Sequence, residues 1–283
     1  MSVEHYENFP VASWLCPPEL RPAVRAIYWF ARTADDIADE GDAPAAERQS
    51  MLAAYREDLL KAAAGAPGSG RWSGVFDPLA SVIASYRLPL PLLAALLDAF
   101  EEDTRHAGYA DRAALLLYCA RSAFPIGRLL LHLHGIDDPV LLRQSDAVCS
   151  ALQLINFWQD LSIDVPRGRI YVPRSDAAAH ATTPADCLHS PQADASRALV
   201  RELCAWAGEL MLAGAPIALA VPGRVGWELR FVVQGGLRIL AKIAAMNFAS
   251  FARRPRLHAA DHLLIGVRAL TMRPSLPKQT RIA

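Results

Sequence analysis

The sequence lacks the features that mark secreted, nucleic-acid-binding and membrane-spanning proteins. Its five cysteines form no CxxC pair, which argues against a disulfide framework or structural zinc site and favours a reducing cytoplasm. Lys plus Arg and Asp plus Glu both total 29, and this zero net charge predicts no nucleic-acid partner and no broad attraction to anionic lipid. The first residues lack a basic, apolar leader, and no uncharged apolar run reaches about 18 residues, so we expect neither a secretory signal nor a membrane span.

Alternating runs of Val, Ile and Thr are also scarce, whereas Ala and Leu are abundant, which disfavours strands. Apolar residues recur at helical spacing near residues 19–40, 44–64, 89–105, 111–134, 138–164, 194–213 and 224–252. The glycine-rich stretch 64–74 has the length of a loop between helices, and no repeat or change of composition divides the chain. The sequence therefore predicts one all-α domain over residues 1–283, a helical bundle whose site lies in its interior.

Two acidic clusters lie close to predicted helix ends. In the first, Asp35 and Asp39 share one helix face, and Tyr28, Arg32 and Asp36 lie on much of the same face. In the second, a polar stripe stepping by four residues comprises Asn156, Asp160 and Asp164, with Gln153 alongside.

Either cluster alone is compatible with an ordinary solvated face. Both, however, fall in the last turns of their helices, where the macrodipole disfavours each carboxylate by roughly 0.3–1 kcal/mol. Two helices with the same penalty indicate that an external cation relieves it. Oxygen-only ligands favour a hard ion such as Mg²⁺, which commonly bridges to substrate phosphates.

Arginines near both clusters are suited to bind a diphosphate through their planar forks. Arg32 precedes the first cluster, although a plain surface pair with Asp36 is an alternative. Arg167 and Arg169 follow the second cluster in a loop shaped by Gly168 and flanking prolines, which we expect to fold over a ligand unless it is an ordinary turn. A later basic group is expected to be an exposed helix end, with a contribution to the diphosphate site as the alternative: Arg253, Arg254 and Arg256.

Pro125 and Gly127 interrupt the predicted helix over 111–134, which predicts a kink. Tyr118 and Ser122 share the kinked face, so the tyrosine hydroxyl is expected either to reach a cavity there or to be satisfied by backbone.

Together these motifs resemble the squalene/phytoene synthase family, the head-to-head prenyl synthases, from about residue 5 to 270. The sequence at Arg32–Asp39 is similar to the family's first aspartate-rich motif, and residues 153–171 are similar to the second. The opening at 6–13 and the Pro-Ile-Gly kink are most similar to the bacterial hydroxysqualene synthase branch of hopanoid biosynthesis. Phe124 departs from this pattern, because a small or polar residue is expected at the kink; its ring predicts a narrower pocket or the loss of a water-directing group.

The resemblance implies an isoprenoid-synthase-type bundle and roles for individual residues. Metal binding is implied for Asp35, Asp36, Asp39, Asn156, Asp160 and Asp164. Substrate binding is implied for Tyr28, Arg32 and Gln153, and we assign it also to Arg167, Arg169 and Tyr171. Tyr118 matches the position of a catalytic tyrosine, and the aspartates at 35, 39 and 160 serve catalysis through the metal.

The implied reaction is Mg²⁺-dependent conversion of presqualene diphosphate into hydroxysqualene, with water capture and release of diphosphate. The alternatives within the family are presqualene diphosphate synthase and phytoene synthase, which condense two prenyl diphosphates. An alternative of another class is a catalytically inactive scaffold or assembly protein of the same fold. A zinc hydrolase is disfavoured because Ala259 stands between His258 and His262 where the motif needs Glu.

The resemblance implies more than one Mg²⁺ ion per site and no nicotinamide cofactor. A prenyl diphosphate is the expected ligand of a cytoplasmic protein. An insoluble product would be compatible with peripheral membrane contact and with contact to other enzymes of the pathway. The apolar segment 203–221 is expected to be plain core, with a tunnel wall or a lipid-facing patch as alternatives.

Overall fold

A computed structural model describes residues 15–105 and 108–273, and it shows helices and loops but no strand in these ranges. The first seven helices are α1 (Arg21–Asp39), α2 (Ala45–Ala63), α3 (Ser73–Tyr86), α4 (Leu90–Asp103), α5 (Arg112–Ser122), α6 (Phe124–Leu133) and α7 (Pro139–Gln159). The next seven are α8 (Leu161–Asp164), α9 (Arg174–Ala179), α10 (Pro184–His189), α11 (Asp194–Gly214), α12 (Ile217–Ala220), α13 (Gly223–Ala245) and α14 (Ala259–Leu270). The all-α prediction is confirmed. The opening motif at 6–13 lies outside the described residues.

The predicted helices are present, with differences at their ends, but five further helices were not predicted: α3, α9, α10, α12 and α14. Helix α3 was missed because Gly74 and Pro78 make its first turns look like a continuation of the preceding loop. The predicted segment 224–252 ends earlier, at Ala245, and residues 246–258 form a connection to α14 instead. That connection contributes to the site.

Two long helices are broken where the sequence carries its unusual residues. The predicted kink in 111–134 is confirmed: α5 ends at Ser122, Ala123 adopts φ −114°, and α6 restarts with Pro125 in its first turn. The segment 138–164, predicted as one helix, also breaks. Helix α7 ends at Gln159, Asp160 is its C-cap, and α8 covers the next turn. The second acidic cluster therefore spans a helix boundary.

Apolar side chains form two buried clusters with a cavity between them. One cluster is built mainly by α1 to α4 together with Leu129 and Leu133 of α6. The other is built around α7, with α5, α11, α12 and α13 packed against it. Gly214 permits the closest approach of α11 to α7, since a Cβ there would lie 2.5 Å from the Gln144 carbonyl oxygen. The cavity thus occupies the boundary between two packed halves of the bundle.

Two stretches, 112–133 and 194–220, are long and apolar enough by composition to cross a membrane, which the absence of an 18-residue uncharged run had not indicated. In this fold about half of the most apolar part of each is buried inside the bundle. Helix α5/α6 is broken at Ala123, and the buried residues of α11 include Leu203, Trp206 and Met211. The expectation that segment 203–221 is mainly core is confirmed, although Leu212 is exposed.

Candidate active site

The cavity between the two halves has a volume of about 780 Å³ and receives side chains from both acidic clusters. All but one of the predicted site residues line it. These are Tyr28, Arg32, Asp35, Asp39, Tyr118, Gln153, Asn156, Asp160, Asp164, Arg167, Arg169 and Tyr171. The exception is Asp36, which is absent from the lining. The geometry that the acidic-cluster hypothesis required, with Asp39 and Asp164 facing one shared space, is present.

Helix α1 supplies the first cluster. Arg32 of the same helix pairs with its carboxylates, and Arg48 of α2 binds the end of the helix backbone. Arg32 pairs with Asp35 at 3.0 Å and with Asp36 one turn on, so the surface pair considered as an alternative exists alongside the cavity contact. The end of α1 is neutralised from outside, because buried Arg48 of α2 donates to the carbonyl oxygens of Ile37 (3.1 Å) and Glu40 (2.9 Å). A positive charge at a helix C-terminus opposes the macrodipole and so helps tolerate acids there. Sequence reasoning missed Arg48.

The break after α7 aims the second cluster inward. As the C-cap, Asp160 donates its backbone N–H to the Asn156 carbonyl oxygen (3.0 Å), and its side chain forms an ion pair with Arg254. The prediction that 253–256 is merely an exposed helix end is wrong for Arg254, which lines the cavity, whereas Arg253 and Arg256 are exposed. The connection after α13 is anchored here, since Gln159 donates to the Pro255 carbonyl oxygen (2.8 Å). A helical continuation would have carried Arg254 elsewhere.

The loop after the second cluster folds back over the first. Gly168 adopts φ +79°, a left-handed conformation that favours glycine, and the Arg169 N–H donates to the Asp164 carbonyl oxygen (3.0 Å). This turn brings the Arg169 guanidinium into an ion pair with Asp39. Arg167 also lines the cavity. The loop therefore joins the two acidic clusters, as the shaped-loop prediction requires.

Aromatic rings border the polar end of the cavity. Tyr171 stacks on Phe157 with ring centroids 3.7 Å apart, and the Tyr118 ring lies about equally far from both, 6.2 and 6.3 Å away. The Tyr118 hydroxyl donates to the carboxyl of Asp103 at 2.8 Å, so it bonds to a cavity-lining side chain and not to backbone, which was the alternative considered. Asp103 and Phe157 line the cavity, but sequence reasoning missed both: Asp103 belongs to no motif, and Phe157 lies within the second motif without being assigned a role.

Burial and mutual repulsion raise the pKa values of several carboxyls here. Burial is the main cause for all three: the pKa of Asp103 is raised to about 7, and those of Asp35 and Asp164 to about 6. Neighbouring aspartates add to each rise, while Arg32 opposes it at Asp35. Closely spaced carboxyls in a poorly solvated site hold protons unless a cation neutralises them.

The donor set fits a hard divalent cation. Carboxylate oxygens and the Asn156 amide face one cavity from two helices, and no Cys or His belongs to either cluster. In the described ranges, no three acidic, His or Cys side chains are close enough together to form a ready ion site. Arginines pair instead with Asp35, Asp39 and Asp160. His258 and His262 are exposed.

The far end of the cavity is mostly apolar and surrounds the helix break. Aliphatic lining residues come from α1, α4, α6, α7 and α13, among them Val24, Leu96, Ile126, Val148 and Leu229. The expectation that Phe124 narrows the pocket is wrong: its ring packs against the α7-centred core, and Ala123 lines the cavity instead. Helical rotation at the break explains this, because neighbouring positions point about 100° apart.

A few polar groups interrupt this apolar end. Ser122 lines the cavity, and its buried hydroxyl oxygen has no hydrogen-bond partner in the described part of the chain. Ser145 and Cys149 face Gly127, and His134 lines the cavity as well. Burial lowers the pKa of His134, so the neutral imidazole is favoured there.

Comparison with known proteins identifies the family of the chain. A family model described as squalene/phytoene synthase matches residues 3–261. The chain belongs to the squalene/phytoene synthase family. A hydroxysqualene synthase from Sinorhizobium fredii is 31% identical over 267 residues, covering 93% of this chain and 88% of that protein. A hydroxysqualene synthase from Zymomonas mobilis is 36% identical over 183 residues, which span 64% of this chain and 59% of the relative's length.

Solved structures of similar proteins have the same fold. The crystal structure of squalene synthase HpnC from Alicyclobacillus acidocaldarius superposes with a TM-score of 0.77 at 36% identity, covering 86% of this chain and 90% of that one. A ligand-bound dehydrosqualene synthase superposes with a TM-score of 0.78 at 18% identity, which supports the fold alone. A presqualene diphosphate synthase from Zymomonas mobilis, 33% identical over 168 residues, shows that family membership spans more than one reaction.

Proposed function

We propose that this protein converts presqualene diphosphate into hydroxysqualene, releasing diphosphate. The observation that carries the proposal is a single cavity with two acidic clusters at one end and a long apolar wall at the other. Presqualene diphosphate has a charged diphosphate head and a branched hydrocarbon body, so its site needs one polar end and one apolar end. Relatives named hydroxysqualene synthase support the choice of reaction within the family.

The polar end is suited to hold and release the diphosphate. The residues placed to hold Mg²⁺ are Asp35, Asp39, Asn156, Asp160 and Asp164, with Asp36 as a helper, and the bound ion supplies positive charge that neutralises the leaving group. Arg32, Arg169 and Arg254 sit among these carboxylates and can turn their forks to diphosphate oxygens. Tyr28, Gln153 and Arg167 complete the head-group site from the lining.

The middle of the cavity is suited to a carbocation. When the C–O bond to diphosphate breaks, the electron pair leaves with the diphosphate, and the cyclopropylcarbinyl cation remains near Tyr118, Phe157 and Tyr171. Aromatic faces attract cations by roughly 0.5–2 kcal/mol each in poorly solvated sites. The Tyr118 hydroxyl is held by Asp103, so the ring stays beside the departing group.

Water capture requires a polar group at the apolar end, and we assign it to Ser122. The Ser122 hydroxyl oxygen is buried with no hydrogen-bond partner among the described residues, whereas Tyr118 donates to Asp103 and Ser145 interacts with Cys149. A water bound to Ser122 would add its oxygen to the rearranged cation and lose one proton to solvent or diphosphate. The product is an alcohol.

The deciding experiment supplies the purified protein with Mg²⁺ and presqualene diphosphate, without NADPH, and identifies the product by mass spectrometry. We expect hydroxysqualene with one oxygen from labelled water, together with inorganic diphosphate. Turnover of farnesyl diphosphate alone, or a product that needs two prenyl diphosphates, would instead indicate the condensing activities of the family. No release of diphosphate from any prenyl diphosphate would favour the inactive scaffold.

A further inference from the structure

The C-terminal helices carry an exposed apolar surface that the cavity does not explain. On α14, Leu263, Val267 and Leu270 follow each other at four- and three-residue steps on one face and are 74%, 50% and 68% exposed. Phe231 of α13 is 40% exposed and continues this face, because its ring lies 3.9 Å from the position of a Cβ on Gly266. We call these four side chains the α13/α14 patch. Exposed apolar residues that adjoin one another, unlike scattered ones, mark interaction sites.

The chain segment that carries the patch has mostly basic charge, although the whole chain is neutral. Between residues 222 and 273 there are nine Lys and Arg residues and only two acids, Glu228 and Asp261. Neither acid faces the solvent beside the patch. Glu228 lines the cavity, and Asp261 is buried in ion pairs with Arg238 and Lys242. Arg268 and Arg273 are exposed on or just after α14.

An apolar stripe on a segment that carries exposed arginines and no exposed acid of its own is the pattern of a helix that lies in the interface of an anionic bilayer. Trp227 stands one turn before Phe231, with Arg230 over its ring at 4.2 Å, and aromatic rings of this kind favour the headgroup region. The zero net charge of the chain had predicted no attraction to anionic lipid. The net charge does not show that basic residues outnumber acidic ones in the segment that carries the patch.

The helix that carries part of the patch also forms a wall of the cavity. Val225, Leu229 and Val232 of α13 line the cavity, and Trp227 and Phe231 lie on the roughly opposite face of the same helix. One helix therefore contacts the interior apolar space on one side and carries part of the patch on the other. We propose that the α13/α14 patch docks this protein peripherally on an anionic membrane, with α13 between the bilayer and the cavity. The docking does not depend on which family reaction the cavity performs.

Vesicle flotation tests the proposal with the full chain. We expect the protein to float with vesicles of phosphatidylcholine mixed with phosphatidylglycerol, and at least about tenfold less with phosphatidylcholine alone, because charge and apolar burial act together. The double variant Leu263→Glu/Val267→Glu should lose flotation, and Arg268→Glu/Arg273→Glu should reduce flotation with anionic vesicles to the level that the parent shows with phosphatidylcholine alone. Leu117→Glu, at a 63% exposed leucine on α5, is the matched control and should float like the parent.

Three outcomes would overturn the proposal. The first is flotation that is equal for the parent and for Leu263→Glu/Val267→Glu. The second is a parent that does not bind anionic vesicles at all. The third is light scattering that shows a dimer of the parent converted to a monomer by the same double variant, which would identify the patch as an interface between two copies. Circular dichroism confirms that each variant is folded, and diphosphate release, measured in detergent, reports the cavity separately.

Discussion

The two ends of the cavity differ in how their side chains are held. At the polar end, charged groups are bound to each other across helices and loops: Arg169 to Asp39 and Arg254 to Asp160. At the apolar end, the wall is shaped by a broken helix and by close backbone approach at Gly127. The function of the polar end therefore depends on individual charged side chains, whereas the shape of the apolar end depends on packing. Substitutions at the two ends should separate into losses of turnover and losses of stability or product selectivity.

The largest effect is expected at the acidic clusters. Asp35→Asn and Asp160→Asn should each reduce Mg²⁺-dependent diphosphate release by at least about 100-fold, because each removes a charge needed to hold the cation. Stopped assays of diphosphate release measure this, with circular dichroism to confirm folding. Asp98→Asn is the matched control, since Asp98 pairs with Arg56 away from the cavity. Retained turnover in both cluster variants would remove the metal hypothesis.

At the apolar end, Gly127→Ala should lower the free energy of unfolding by about 2 kcal/mol through overpacking. A Cβ at Gly127 would lie 2.5 Å from the Ser145 hydroxyl oxygen and 2.6 Å from the Cys149 sulfur. Gly235→Ala is the matched control, because nothing lies within 4 Å of its Cβ position in α13. That variant should gain up to about 1 kcal/mol from helix propensity. Urea unfolding of both variants compares them directly, and equal stabilities would contradict the packing account.

Arg254 and Arg253 are neighbours in sequence, but only Arg254 lines the cavity, so their substitutions should differ in effect. Arg254→Ala should lower kcat about tenfold, because it removes a cation that pairs with Asp160 and can contact the diphosphate. Arg253→Ala, at an exposed position one residue away, should leave kcat unchanged. Equal effects of the two substitutions would return this segment to its sequence-based interpretation as an exposed helix end.

Asp103 should make the protein less stable as pH rises. Its pKa is about 7 in the folded protein against 3.8 as the reference value, so the unfolded chain releases this proton first and stability falls as pH rises through that window. Asp103→Asn keeps an acceptor for Tyr118 and removes the titration. With a chelator present, it should be about 1 kcal/mol more stable than the parent near pH 8 and show less gain near pH 5. Urea unfolding at both pH values measures this; a pH-independent difference would contradict the assignment.

The smallest effect concerns the fate of the cation at Ser122. Ser122→Ala should leave diphosphate release within about twofold of the parent and shift part of the product from alcohol to alkene, because the cation then loses a proton instead of gaining water. Ser122→Thr keeps a hydroxyl and should restore the alcohol. Product ratios by gas chromatography measure the shift. An unchanged ratio in Ser122→Ala would place water delivery elsewhere while leaving the proposed reaction intact.

How far the sequence sufficed differs between these two ends. Motif spacing was enough to predict the acidic clusters, Arg32, Arg167 and Arg169, because their residue types repeat along one helix face or follow it directly. Asp103 and Arg48 could not be predicted, since each acts from a distant segment and belongs to no pattern. The position of Arg254 in the cavity depends on how the connection after α13 folds. The Phe124 expectation failed for a related reason: the break at Ala123 sets which side chain faces inward.

The sequence by itself determined the helical class, the two aspartate motifs and the break at Pro125, because periodicity, residue chemistry and backbone restriction act locally along the chain. Only the tertiary structure decided which acids share a space, which arginines neutralise them, and that a neutral chain presents a basic, apolar face on α13 and α14. Those outcomes depend on distances between segments far apart in sequence. Composition averages over the whole chain, whereas binding depends on where the folded chain gathers its charges and apolar groups.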